Sequence, residues 1–159
     1  MPRHRLILGT GLLAWALWAG ADAGGSASPA WSSGKAEDPA VKTARAAIAA
    51  GDYASAQPVL KAALAGDPGN ADLHNLYAYS LRKSANPDME LVFKHYQEAL
   101  RLDPKHRGAQ EYIGEAYLTV NNLPKAKEHL AALDKLCFFG CAEYTELKNA
   151  IAAYEAKAK

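Results

Sequence analysis

Cys137 and Cys141 are the only cysteines of the chain, and a pair this close is the first place to look for chemistry. Two such thiols can close a disulfide, exchange electrons or bind a soft metal ion. A redox centre of the Cys-x-x-Cys kind needs a shorter spacing and a strand-and-helix setting. Here Phe138, Phe139 and Gly140 intervene. Haem attachment would need a histidine directly after the second cysteine, and Ala142 stands there. Without an adjacent histidine the pair supplies only half of a structural zinc shell. The leading reading is a structural disulfide across a tight turn, with Gly140 letting the backbone bend. Chain entropy makes so small a ring worth about 2 kcal/mol at most. Redox and copper- or other metal-binding roles stay as alternatives.

The remaining reactive side chains are dispersed. His74, His95, His106 and His129 fall in four different segments, none paired at the i, i+4 spacing of a helical metal site. They are expected at the surface or partly packed. Glu111 and Glu115 stack one helical turn apart, but no opposing acid pair is identifiable. They read as solvated or partner-facing charges rather than acid–base catalysts. No glycine-rich phosphate loop follows a strand, and no G-x-S-x-G elbow occurs. The expectation is a protein without cofactor or metal, and not an enzyme.

The N-terminus bears on compartment. Arg3 and Arg5 precede a run from Leu6 to Ala21 that is apolar apart from Thr10 and its glycines. Ala21-Asp22-Ala23 then puts small residues where a signal peptidase requires them. Residues 1–23 are expected to be a secretory signal cleaved after Ala23, leaving no stable membrane anchor. An uncleaved anchor is the alternative, disfavoured because the run is shorter than the ~20 residues that span a bilayer. A periplasmic or secreted location follows, and such compartments favour disulfides. Cleavage removes Arg3, Arg5 and Asp22, taking 18 basic and 17 acidic residues to 16 of each. A formally neutral chain argues against nucleic acid as partner and against general attraction to anionic lipid. Residues 24–36, rich in Gly, Ser and Ala, read as a flexible linker. Trp31 is its only large side chain, with docking on the domain or on a partner as its alternative role.

From about Glu37 onward Ala- and Leu-rich segments alternate with short punctuations: Ala50-Gly51-Asp52, Gly66 to Gly69, Ala85 to Asp88, Asp103-Pro104 and Asn121-Asn122. No stretch alternates as a half-buried strand does, while Leu73, Leu76, Tyr77, Ala78 and Leu81 recur at spacings of three and four. The spacing predicts helices joined by short turns. Pro68 and Pro104 each follow an aspartate that closes a helical segment, and they lie 36 residues apart.

This pattern resembles the tetratricopeptide repeat, whose period is about 34 residues. Ala50-Gly51-Asp52-Tyr53 matches the turn between the helices of a repeat, followed by Ala56 at the crossing and by Leu60, Ala63 and Pro68. A second copy has Tyr77, Ala78 and Leu81, then Val92, Tyr96, Ala99 and Pro104, the longer turn at Ser84 to Asp88 accounting for the spacing. A third has Ile113-Gly114-Glu115-Ala116-Tyr117, the turn Asn121-Asn122, then Ala126, Leu130 and Leu133. The first copy is the least regular, with Pro58 inside its second helix, where it would kink the chain if it lay beyond the first turn. The run from Leu136 to Leu147 resembles the tail of small exported proteobacterial members of the family.

The resemblance implies an all-α, right-handed solenoid of three helix pairs over residues 37–159, with repeats at about 37–70, 71–106 and 107–136. A capping helix over 142–157 would carry Tyr144, Leu147, Ile151 and Tyr154 as its apolar stripe. It also implies a protein–protein interaction module, a periplasmic adaptor or chaperone-like scaffold holding a segment of another exported protein in its concave groove. By repeat position the groove would be lined by Lys42 and Arg45, then Asn75, Tyr79, Arg82 and Lys83, and finally Glu111, Tyr112, Glu115 and Thr119. A redox or metal accessory factor for cytochrome or metalloprotein maturation, using Cys137 and Cys141, is the alternative. Self-association is the third reading, since so short and neutral an array could pack against its own copies.

Overall fold

The structure, a computed structural model, describes residues 38–157. The expected signal (1–23), the expected linker (24–36) and the alternative role of Trp31 all fall outside the described residues. Among the described residues seven helices follow one another: α1 (Pro39–Ala49), α2 (Tyr53–Gly66), α3 (Ala71–Arg82), α4 (Met89–Leu102), α5 (Arg107–Thr119), α6 (Leu123–Leu136) and α7 (Ala142–Lys157). The described residues contain no strand.

Each of the first six helices starts at a side chain that turns back onto its own first turn. Asp38, Asp52, Asn70, Asp88, His106 and Asn122 accept hydrogen bonds from the backbone amides that a helix N-terminus leaves unpaired. For α7 the Sγ of Cys141 takes that place, 3.4 Å from the Tyr144 amide. The turns after α1 and α5 are matched copies. Gly51 (φ 74°) and Asn121 (φ 58°) adopt the left-handed conformation there. In each the next amide bonds back to the helix end, Asp52 to Ala47 O at 2.9 Å and Asn122 to Tyr117 O at 2.8 Å, a Schellman-type closure. Pro58 lies in the second turn of α2 and denies the Ala54 carbonyl its usual donor. Ala54 and Pro58 are both exposed, so that carbonyl can be solvated.

Packing is sequential. Helices α1 and α2, α3 and α4, and α5 and α6 form pairs, each pair packs on the next, and α7 covers both α5 and α6. In addition α1 touches α3 and α3 touches α5, whereas α2, α4 and α6 do not touch one another. Helices in contact along one side and separated along the other define a curve with the odd-numbered helices inside. The core is accordingly segmented, with one cluster around Val41, Leu60 and Leu73, one around Val92, Tyr96 and Ile113, and one around Leu133, Leu147 and Ile151. This is the all-α solenoid of helix pairs that the repeat pattern implies.

The small crossing residues are all buried: Ala56, Ala78, Gly114 and Ala126. Gly114 is the tightest. A methyl group there would stand 2.6 Å from Cδ2 and 2.8 Å from Cδ1 of Leu147, the fully buried anchor of α7. Gly114→Ala is therefore expected to cost about 1–3 kcal/mol by overpacking, despite alanine's better helix propensity, and Leu147→Ala about 2–5 kcal/mol by cavity formation. The double variant should cost clearly less than the sum, because each change relieves the other. Urea unfolding of the four proteins checks this, and strictly additive losses would show that Leu147 is not what Gly114 makes room for.

Candidate functional site

The inner face is built on α3, flanked by α1 and α5. Tyr79 sits at its centre. Its ring meets Tyr112 of α5 at a centroid distance of 4.6 Å and Tyr53, the first residue of α2, edge-on at 6.1 Å. Arg82 and Lys83, at the end of α3, stand over the same ring at 5.5 and 5.6 Å, in cation–π range. Arg82 reaches across to α5, its Nη2 donating to Oε2 of Glu115 at 2.7 Å. Its side chain is only 8% exposed. Burial opposes the guanidinium charge, but the Tyr96 phenol and Glu115 beside it hold the proton above the ordinary value. Burial likewise pushes the phenols of Tyr79 and Tyr112 up. Four of the sequence-derived groove residues, Tyr79, Arg82, Tyr112 and Glu115, thus form one connected group, with Lys83 at its edge.

The others fall differently. Arg45 turns toward α3, its Nη2 3.3 Å from Oδ1 of Asp72. Lys42 and Thr119 are exposed, and the Thr119 hydroxyl donates to the Ala116 carbonyl of its own helix at 2.7 Å. Asn75 is fully enclosed on α3 with neither amide atom hydrogen-bonded. Glu111 is 7% exposed, which corrects its reading as a solvated charge. It lies where α7 covers α5, among Glu115, Glu143 and Glu146. Burial first, and those three carboxylates next, raise its carboxyl from 4.5 to about 8.

Two histidines are also buried rather than superficial. His106 is 7% exposed and caps α5 by accepting the Ala109 amide proton on Nδ1, which leaves Nε2 to carry the hydrogen. That nitrogen stands 3.3 Å from Oδ1 of Asp72. The hydrogen bond from His106 outweighs burial and holds the Asp72 carboxyl below the usual range, with Arg45 adding its charge. One carboxylate therefore ties α1, α3 and the start of α5. His74, 8% exposed, bonds through Nε2 to the Pro68 carbonyl at 3.0 Å and through Nδ1 to Nδ1 of His95 at 2.8 Å. A neutral His74 donating to Pro68 must accept from His95. Burial first, then His74 and Lys94, bring His95 down to about 4. The pair fastens the α2–α3 turn to α4, a packing role that the helical spacing of histidines could not reveal.

Asp72, Tyr53, Glu143 and Glu146 were not among the sequence-derived groove residues. Asp72 was readable, since it precedes Asn75 by one turn and Tyr79 by two on the same face. His106 was readable as a cap, standing 36 residues after Asn70, which caps α3. Glu143 carries no comparable signal, because it comes to Arg107 of α5 at 3.6 Å only through the turn at Cys137–Cys141. That turn is closed by a disulfide with a Cα separation of 5.6 Å. Among the described residues no group of three or more His, Cys, Asp or Glu side chains is placed to hold a metal ion, and no helix is long and apolar enough to cross a membrane.

A family model described as tetratricopeptide repeat matches residues 47–88, spanning α2, α3 and the turn before α4. No curated protein sequence matches the chain. Among solved structures, the type III secretion translocator chaperone SycD of Yersinia enterocolitica is similar at a TM-score of 0.63 and 18% identity, over 76% of this chain and 92% of that one. The same chaperone in complex with a peptide of the translocator YopD is similar at 0.62 and 17%, over 76% and 92%. The first such repeat domain of human RPAP3 is similar at 0.60 and 17%, over 74% and 93%. At these identities the likeness is one of fold.

The elevated proton affinity of Glu111 has a thermodynamic consequence. The folded protein keeps a proton that the unfolded chain gives up, so this group costs stability as pH climbs from about 4.5 to about 8. Glu111→Gln should change nothing below that window and stabilise by about 1–3 kcal/mol above it. Unfolding midpoints of both proteins across the window test this, and a difference that does not grow with pH would refute the assignment.

Proposed function

We propose that this chain, whose residues 47–88 match the tetratricopeptide-repeat model and whose fold is similar to that of solved repeat proteins, is a scaffold that binds a polypeptide segment of another protein on its inner face. The observation that carries this reading is the Tyr53–Tyr79–Tyr112 row with Arg82 and Lys83 over its middle ring. Tyr and Arg are the residue types that most often anchor interfaces. Here the rings are already held by each other and by the Arg82–Glu115 bond, so little order remains to be imposed on binding. SycD, of similar fold, has been captured with a peptide of a partner protein, which supports a segment rather than a small molecule as the guest. Binding and release are the whole of the activity in this reading, with no covalent step.

The same proposal places the protein outside the cytoplasm, in the periplasm or secreted, after cleavage at Ala23. The Arg3–Ala23 pattern and the bonded Cys137–Cys141 pair support it. The guest is then another exported protein.

A photoreactive residue in place of Tyr79, compared with one at Gln97 on the exposed side of α4, tests the binding face in living cells. Cross-linked polypeptide is expected at position 79 and not at 97, and Tyr112→Ala should weaken capture by about tenfold or more. Equal labelling at the two positions would overturn the assignment. The mass of the exported product, expected to begin at Gly24, checks the compartment.

A further inference from the structure

We infer that the closed turn between α6 and α7 is a lipid-contacting tip, which rests the protein on a membrane surface by inserting the rings of Phe138 and Phe139. The two rings are 88% and 96% exposed. Among the described residues the only other exposed large apolar side chain is Val120, at 42%. One apolar residue at a surface is ordinary, but two adjacent phenylalanines held in water together call for an occupant. The turn holds them out. Cys137 and Cys141 are bonded, with their Cα atoms 5.6 Å apart, and the Gly140 amide donates to the Cys137 carbonyl at 2.8 Å. Both ends are fixed to helices. The Cys137 amide donates to the Leu133 carbonyl of α6, and the Sγ of Cys141 accepts from the first turn of α7. The two rings meet edge to face at a centroid distance of 5.1 Å.

The size and the surroundings of the tip decide what covers it. Two phenyl rings offer roughly 300–500 Å², whereas a stable protein interface takes about 800 Å² from each partner. Two copies meeting tip to tip fall short of that. A bilayer makes no such demand, because membrane binding scales with the apolar area buried and needs no shaped pocket. No charged residue lies between Leu136 and Ala142, so nothing ionic enters the lipid with the rings. The bordering charges cancel. Exposed Asp134 and Lys135 stand at the end of α6, and exposed Asp103 and Lys105 on the turn before α5. That turn shares the tip's edge of the stack, since Arg107 at the start of α5 meets Glu143 at the start of α7. The rings rather than charge supply the attraction, so headgroup charge matters little. The start of α3 lies along the same edge, where Asp72 meets His106, while Tyr79, Arg82 and Lys83 lie toward its other end. A protein resting on the tip keeps its tyrosine row away from the membrane.

This inference stands apart from any guest on the inner face. Vesicle flotation tests it with the chain starting at Gly24, which keeps every described residue and removes the apolar run Leu6 to Ala21. That run could bind lipid by itself. The vesicles are phosphatidylcholine alone and phosphatidylcholine mixed with phosphatidylglycerol. Flotation with both, to the same extent and with little dependence on salt, is expected. Phe138→Ser and Phe139→Ser should each lower partitioning by about tenfold, and the double variant should not float. Its unfolding midpoint in urea should match the parent's, because neither ring is packed on the domain. A parent chain that does not float, or a double variant that floats as well as the parent, overturns the inference. Flotation restricted to the anionic vesicles also overturns it, by tracing binding to cations instead of rings. Sedimentation velocity without lipid identifies the rival occupant: self-association that the double variant loses, with no flotation, assigns the rings to a second copy. Capture of polypeptide at position 79 depends on none of these results, so the two readings stand or fall separately.

Discussion

Close approach of helices at a few small residues is the constraint on which everything else in this protein depends. Gly114 leaves room for Leu147 and nothing more, and Ala56, Ala78 and Ala126 are likewise buried without any exposed surface. Dispersion contacts fade within an ångström of lost proximity, so larger residues at these places would separate the helices and open the core. Tyr96 and Leu60, fully buried beside those crossings, fill what the small residues leave. The curve follows from the same contacts. Odd-numbered helices touch, even-numbered ones do not, and an inner surface exists because one side of the stack is shorter than the other.

The polar groups of that inner surface are organised in the spaces the crossings define. Asp72 ties α1 to α3 through Arg45 and α3 to α5 through His106, while Arg82 and Glu115 tie α3 to α5 at the opposite end of α3. Both links span helices of different repeats, so they set the relative position of consecutive repeats. An exposed ion pair contributes little. Arg82 is not exposed, and breaking its pair would leave a buried guanidinium facing Tyr96 without its carboxylate. The tyrosine row is consequently presented on a stiff frame, a property suited to a surface that must be ready before its guest arrives.

The C-terminal helix does more than shield the last pair from water. It buries Leu147 and Ile151 against α5 and α6, and it brings Glu143 and Glu146 to Glu111. The disulfide at Cys137–Cys141 shortens the connection between α6 and α7 and limits how far α7 can swing. The same closed turn carries Phe138 and Phe139 outward, 88% and 96% exposed. The cap thus has a packing face and an electrostatic face, and the charge character of the inner surface changes where it begins.

By themselves the residues of this chain determined the number and kind of elements. Caps, turn glycines and prolines and the three-and-four spacing of Leu, Tyr and Ala act within about a turn of helix, where local sterics and hydrogen bonds decide the outcome. Recurrence of these signals at one interval was enough to read the helix pairs and the face along which Tyr79, Arg82, Tyr112 and Glu115 would lie. Only the tertiary structure decided what each charged side chain meets. That Glu111 is buried among carboxylates, that His106 serves Asp72 rather than solvent, and that His74 and His95 pair depends on the rotation of each helix about its axis. Rotations of that kind are set by contacts between residues twenty to forty positions apart, and no local pattern encodes them.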